Sequence, residues 1–178
     1  MKRSDIIALI GSAAEQRKLC RVLFDYDASY RHCVPLTLGK RLVLFANEDE
    51  FTIDGYSVRR LRDIKKAQIK DDKYADIVRA EGILESLSAP DVDLSDWYGF
   101  FVGFGSKGGN IIIEKESSDD EECEFAIGRI VKVLSTKVIF EHFDADGVWQ
   151  EEYYSIPFSQ ITSVTFSSRY VEIYSKYV

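Results

Sequence analysis

The segment Phe51-Thr52-Ile53-Asp54-Gly55-Tyr56-Ser57-Val58 recurs in altered form as Trp149-Gln150-Glu151-Glu152-Tyr153-Tyr154-Ser155-Ile156, and this repeated segment is the main indication of the fold. Each copy is preceded by a short apolar segment and followed by an isoleucine and then a tyrosine. In the first copy these are Leu42-Val43-Leu44-Phe45, Ile64 and Tyr74; in the second they are Lys137-Val138-Ile139-Phe140, Ile161 and Tyr170. Short strands that repeat with nearly constant spacing predict two copies of one small β unit.

Hydrophobic periodicity predicts two helices and several strands in the first copy. Apolar residues at helical spacing behind Ser4 predict a helix over residues 4–17, and a change of period predicts a second helix over residues 71–87. Asp54-Gly55 indicates a bulge or sharp bend inside a strand. The strands are predicted at residues 19–24, 41–45, 51–60 and 64–70.

A linker is predicted at residues 89–96, where Pro90 stands among small and acidic residues without any period. It divides the chain into a first unit, residues 1–88, and a second unit, residues 97–178. The aromatic segment at residues 97–102 is predicted to resume β structure, and a glycine-rich turn precedes the next strand. The further strands of this unit are predicted at residues 111–113, 125–134, 136–143, 148–156, 160–166 and 170–174. The fold class is therefore mainly β with minor α, with one small closed barrel in each unit.

Charge is distributed unevenly along the chain. The net charge is −7, and residues 1–90 carry 16 Lys and Arg against 14 Asp and Glu, whereas residues 91–178 carry 7 against 16. Opposite signs favour attraction between the units or between copies of the chain, and they argue against wrapping DNA along the whole molecule. Three cysteines without a CxxC pair predict reduced thiols, and no apolar run is long enough to span a membrane, so we expect a cytoplasmic protein.

The order of these elements, a short helix followed by a strongly bent five-stranded sheet, resembles the Sm-like (Lsm-like) barrel, a small SH3-like fold. Residues 51–77 and 149–173 are similar to the corresponding segments of bacterial proteins with that fold. The resemblance implies two tandem barrels. RNA-binding members carry a motif late in the barrel, where this chain has Arg59-Arg60-Leu61-Arg62-Asp63 in one copy and Ser155-Ile156-Pro157-Phe158-Ser159 in the other. Neither matches, so the resemblance does not by itself imply RNA binding.

A run of basic residues follows the first copy of the repeated segment, residues 51–58. Its cations could meet phosphates and a tyrosine could stack on a base, although strand alternation would split them between two faces. The candidate binding residues are Tyr56, Arg59, Arg60, Arg62, Lys65 and Lys66.

Other motifs are weaker candidates for chemistry. Asp25 and Asp27 follow a strand as in DxD phosphotransferases, in which the first carboxylate attacks phosphorus beside Mg²⁺, but no alternating βα pattern follows. Gly103-Phe104-Gly105-Ser106-Lys107-Gly108 satisfies GxGxxG but precedes a predicted strand rather than a helix. Asp144-Ala145-Asp146-Gly147 is more typical of a hairpin turn than of a Ca²⁺ loop.

Histidines and cysteines show no ligand spacing that would predict a metal site or a thiol nucleophile, and no motif predicts a cofactor. We therefore expect a non-enzymatic binding or assembly module that associates with itself or with another protein. The first alternative is a single-stranded RNA-binding protein using the basic run, and the second is a small Mg²⁺-dependent phosphotransferase using Asp25 and Asp27.

Overall fold

Ten strands form a single antiparallel sheet in the computed structural model, which describes residues 2–178. The elements of the first half are α1 (Arg3–Glu15), β1 (Cys20–Phe24), β2 (Arg31–Leu38), β3 (Leu42–Asp49), β4 (Thr52–Arg60), β5 (Ile64–Ile69) and α2 (Lys73–Ala80). Those of the second half are α3 (Trp97–Gly105), β6 (Ile111–Lys115), β7 (Glu124–Val133), β8 (Lys137–Phe143), β9 (Tyr154–Pro157), β10 (Ser163–Phe166) and α4 (Arg169–Tyr174). The chain is thus mainly β, as predicted.

The strand order is the same in the two halves. Across the sheet it runs β5-β1-β2-β3-β4 and then β10-β6-β7-β8-β9, so in each half the fifth strand pairs with the first and the fourth lies at the far end. The halves join where β4 pairs with β10, with Tyr56 opposite Phe166 and Arg59 opposite Ser163. We call this ladder the seam.

The sheet is not closed, which differs from the predicted pair of closed barrels. In the described part of the chain, β5 and β9 each pair with one neighbour only. The physical reason is that the outer edge of β4 bonds to a strand of the other half instead of closing its own unit. Register shifts in β2, β3 and β7 bend the sheet.

The principal core cluster is shared between the halves. Leu42, Leu44 and Val58 from the first half pack with Phe100 and Phe101 of α3, and the residues 89–96 contribute Leu94 to the same cluster. Separate clusters lie under α1, under α2 and under α4. Because apolar side chains of both halves are buried together, the two halves are packed against each other over the seam as well as hydrogen-bonded through it.

Two segments predicted as strands are helices. Residues 97–102 belong to α3, whose first turn is capped by Asp96 accepting a hydrogen bond from Gly99 N at 3.0 Å. Residues 170–174 belong to α4, which Ser168 caps through Val171 N. In both cases a capping side chain and burial of one helix face outweigh the β propensity of aromatic and β-branched residues.

Smaller differences concern the bounds of elements. The helix predicted over residues 71–87 ends at Ala80, because the chain turns at Gly82, where φ is +71°. The first helix begins at Arg3, so Ser4 lies inside it and is not its cap. Strand β2 has no counterpart in the sequence-based prediction, and β9 is shorter than predicted. None of the helices in residues 2–178 is long and apolar enough to cross a membrane.

Candidate functional site

A cleft of about 710 Å³ opens where loops from both halves meet. The loops that follow β2 and β4 contribute from the first half, and the loops that follow β7 and β9 contribute from the second. The starts of α1 and α3 complete the wall. The lining residues are Arg3, Lys40, Arg41, Leu42, Arg60, Arg62, Asp96, Trp97, Tyr98, Ser135, Thr136, Phe158 and Ser159.

The cleft is strongly basic. Five of its lining residues are Lys or Arg, while Asp96 is the one acid among the described residues that line it, and its carboxylate already caps α3. Arg3, Lys40 and Arg41 are exposed and form no ion pair with a described residue. These three cations leave the cleft with a net positive charge, which attracts anions.

Arg60 and Arg62 are held by one carboxylate. Arg60 Nε pairs with Asp63 Oδ2, and Arg62 Nε lies 3.6 Å from Asp63 Oδ1. Arg60 also donates to the carbonyl of Ser159 at 3.0 Å, which ties the end of β4 to the loop after β9. The Arg62 side chain is 67 % exposed and remains available to a ligand.

Trp97 carries a buried indole N–H that has no acceptor among the described residues. Its side chain is almost fully buried against Phe100 and Phe101, yet its Nε1 atom has no hydrogen-bond partner among the described residues. A buried indole N–H without an acceptor is costly and uncommon in folded proteins. Tyr98 is half exposed at the same wall and offers a surface for stacking.

Of the six candidate residues in the basic run, only Arg60 and Arg62 line this cleft. Tyr56 is not a free platform, because it stacks on Phe166 with ring centroids 5.7 Å apart and donates to the carbonyl of Ser88. Lys65 and Lys66 are exposed on the edge strand β5, away from the cleft lining.

Arg59 is buried at the seam. It forms an ion pair with Glu116 at 2.7 Å, donates to Tyr26 Oη at 3.2 Å and lies 4.9 Å from the centre of the Phe24 ring. Burial by itself lowers the pKa of Arg59, but Glu116, Tyr26 and Glu114 together outweigh it, so the pKa is raised and the guanidinium stays charged. Its role is to join the two halves.

The two aspartates of the DxD motif have different surroundings. Asp27 accepts a bidentate hydrogen bond from Arg31, which occupies both carboxylate oxygens, whereas Asp25 is exposed. The described residues contain no group of three or more His, Cys, Asp or Glu placed to hold a metal ion.

Two of the cysteines, Cys20 and Cys33, lie in strands of the sheet, and the first part of the glycine motif lies in α3. Burial raises the pKa of Cys20 to about 12 and the pKa of Cys33 well above its ordinary value, so neither is a thiolate at neutral pH. Gly103 and Gly105 lie in α3, and the chain turns at Gly108 and Gly109 before β6.

Several residues of the cleft were missed by sequence reasoning. Lys40 and Arg41 are a short basic pair beside Gly39, and Trp97, Phe100, Phe101 and Phe104 recur at positions i, i+3, i+4 and i+7 behind Asp96. That spacing is a helix signal which the β-forming composition masked. No pattern in the sequence brings Arg41 and Ser135 together, because they belong to loops of different halves.

In comparisons with known proteins, no family model, no curated protein and no solved structure matches the chain.

Proposed function

We propose that the protein is a non-enzymatic binding module, formed by two Sm-like units, that binds single-stranded RNA in the basic cleft. The observation that carries the proposal is a cleft lined by five Lys and Arg residues, of which Arg3, Lys40 and Arg41 are exposed and form no ion pair with a described residue. The repeated strand order supports the derivation of both halves from one Sm-like unit.

The chemistry of the cleft favours a nucleotide over a simple anion. Cations bind phosphates, and Tyr98 and Phe158 offer aromatic surface to a base. Ser135, Thr136 and Ser159 supply hydroxyl groups of the kind that recognise the ribose 2′-OH. The volume is that of a site for a small organic molecule, which corresponds to one or two nucleotides rather than a duplex.

The test is binding of a fluorescent oligouridylate of about ten nucleotides, measured by anisotropy at several salt concentrations. Arg41→Glu/Arg62→Glu should weaken binding at least about tenfold and should reduce the salt slope by about 1.4, since each lost phosphate contact on a single strand removes about 0.7. The matched control is Arg79→Glu/Lys132→Glu, which changes the net charge equally at exposed positions outside the cleft lining.

A Tyr98→Ala variant tests the aromatic surface of the cleft. Tyr98 is half exposed, so its removal should leave the fold largely unchanged while weakening binding severalfold. Equal affinity in the cleft variant and the charge-matched control would refute RNA binding at this cleft. Equal affinity for the corresponding DNA would refute the role assigned to the 2′-OH.

A further inference from the structure

A second cavity, of about 420 Å³, lies over one face of the sheet at the seam. It has no lining residue in common with the basic cleft. Arg59 and Arg60 are neighbours in β4, and their side chains point to opposite faces, so that Arg60 lines the cleft and Arg59 lines this cavity. We call the cavity the seam groove.

Strands β4, β10 and β6 form the floor of the seam groove. Arg59 lies opposite Ser163, and Ser163 lies opposite Glu114, so these three side chains stand in one row on the same face of the sheet. Ser57 and Thr165 form the next row of the floor. The groove therefore spans residues of both halves.

Arg59 presents unused hydrogen-bond donors to the groove. Its side chain is only 5 % exposed, and Nη1 makes both of its side-chain hydrogen bonds, to Tyr26 Oη and to Glu116. Nε and Nη2 donate to no described residue, and neither is fully enclosed by protein. A nearly buried guanidinium with free donors beside a cavity favours an anionic ligand group, because guanidinium and carboxylate form strong charge-assisted hydrogen bonds.

Glu114 presents the opposite charge in the same row. Its Oε2 atom accepts a hydrogen bond from Ser163 Oγ at 2.7 Å, and Oε1 accepts from no described residue. Glu114 and Arg59 are two strands apart, which separates their Cα atoms by about 10 Å. They form no ion pair with each other, since Arg59 pairs with Glu116 instead. A ligand group that carries both an ammonium and a carboxylate fits between them.

The remaining charge of the groove is negative. The two arginines that line it are already paired with acids outside the lining. Asp49, Asp54 and Glu114 also line the groove and form no ion pair with a described residue. Asp54 Oδ1 accepts from the backbone N of Arg169 at 2.6 Å, which leaves Oδ2 free, and the ring of Tyr170 is half exposed on the same lining. Free carboxylates and an aromatic ring favour a second cation on the ligand.

We propose that the seam groove binds a free amino acid with a cationic side chain. The ligand carboxylate accepts from Nε and Nη2 of Arg59, the ammonium donates to Glu114, and the side-chain cation lies toward Asp54 and Tyr170. The volume is within the range of sites for small molecules. This site goes beyond the proposed RNA binding and does not depend on it, because the two cavities have separate linings.

The test is isothermal titration calorimetry of the unmodified protein with L-arginine, which should bind saturably with one site per chain. Three analogues each lack one of the groups that the groove recognises: agmatine lacks the carboxylate, Nα-acetyl-L-arginine lacks the ammonium, and L-norleucine lacks the side-chain cation. Each should bind at least about tenfold more weakly, because each leaves one charged hydrogen bond unmade. Absence of saturable L-arginine binding, or equal binding of any of the three analogues, would overturn the proposal.

Two substitutions locate the site. Glu114→Gln keeps an acceptor for Ser163 and removes the charge, so it should weaken L-arginine binding at least about tenfold. The matched control is Glu151→Gln, the same change at an exposed position outside the groove, which should bind normally. Arg59→Lys keeps a charge for Glu116 but lacks the planar pair of donors, and it should weaken binding similarly in a chain that circular dichroism shows to be folded. Equal affinity in Glu114→Gln and its control contradicts the assignment.

The cleft variant Arg41→Glu/Arg62→Glu separates this site from the basic cleft. It should bind L-arginine as the unmodified protein does, whether or not it binds RNA, because neither substituted residue lines the groove. Loss of L-arginine binding in this variant would place the ligand in the cleft and overturn the proposal.

Discussion

Replacing Glu116 by Gln should destabilise the protein severely, because it leaves a buried charge without its partner. The Arg59 side chain is only 5 % exposed, and its ion pair with Glu116 at 2.7 Å joins the halves at the seam. Breaking a buried pair by removing one partner costs about 3–5 kcal/mol. Arg59 keeps its contacts with Tyr26 and Phe24, so we expect the lower end, about 3 kcal/mol.

Replacing Arg59 should lower the free energy of unfolding less than replacing Glu116. Arg59→Met leaves Glu116 paired with Arg31 at 2.6 Å and with Thr162 Oγ1 at 3.0 Å, so its cost should be smaller, about 1–2 kcal/mol. The double variant Arg59→Met/Glu116→Leu replaces the pair by apolar groups and should be more stable than Glu116→Gln alone, since apolar replacement of a buried pair is often neutral.

Urea unfolding followed by far-ultraviolet circular dichroism measures these differences. With an m value of about 2 kcal/mol/M, the Glu116→Gln midpoint should fall by roughly 1.5 M without a change in slope. A cost below about 1 kcal/mol, or a double variant no more stable than Glu116→Gln, would refute the assignment of Arg59 as a buried charge that depends on Glu116.

Two further predictions concern packing and thiol reactivity. A Cβ added at Gly39 would collide with the backbone carbonyl of Leu94, so Gly39→Ala should cost about 1–3 kcal/mol in urea unfolding. Gly103→Ala is the control, because it meets open space inside a helix and should be neutral or stabilising by up to about 1 kcal/mol; equal costs for the two would contradict the clash. With a thiol reagent at pH 8, Cys123 alone should react quickly and the two buried cysteines only after unfolding, so more than one fast thiol would contradict their burial.

Much of the fold was predictable from local patterns. The alternation in residues 51–60 and 64–70 predicts β4 and β5, and the apolar face behind Ser4 predicts α1, each within a few residues of its observed bounds. Helix α3 was wrongly predicted as a strand, because its aromatic residues favour strands locally while their burial on one face favours a helix.

The candidate site was less predictable than the fold. The basic run includes Arg60 and Arg62, which line the cleft, but a linear run does not show which side chains the sheet buries. Arg59 lies between a buried valine and Arg60, and only the position of Glu116 across the seam shows that its charge is used internally.

Local residue patterns are enough to predict the mainly β character, the repeated strand pattern and the uneven charge, because these depend on residue types within a few positions of each other. The pairing of β4 with β10 and the enclosure of the basic cleft by loops of both halves are seen only in the folded chain. The reason is that backbone hydrogen bonds between distant strands are nearly independent of side-chain identity and so leave little trace in sequence. Because the outer edge of β4 pairs with β10, neither half closes into a barrel. The strands β5 and β9 therefore lie at the two ends of the sheet.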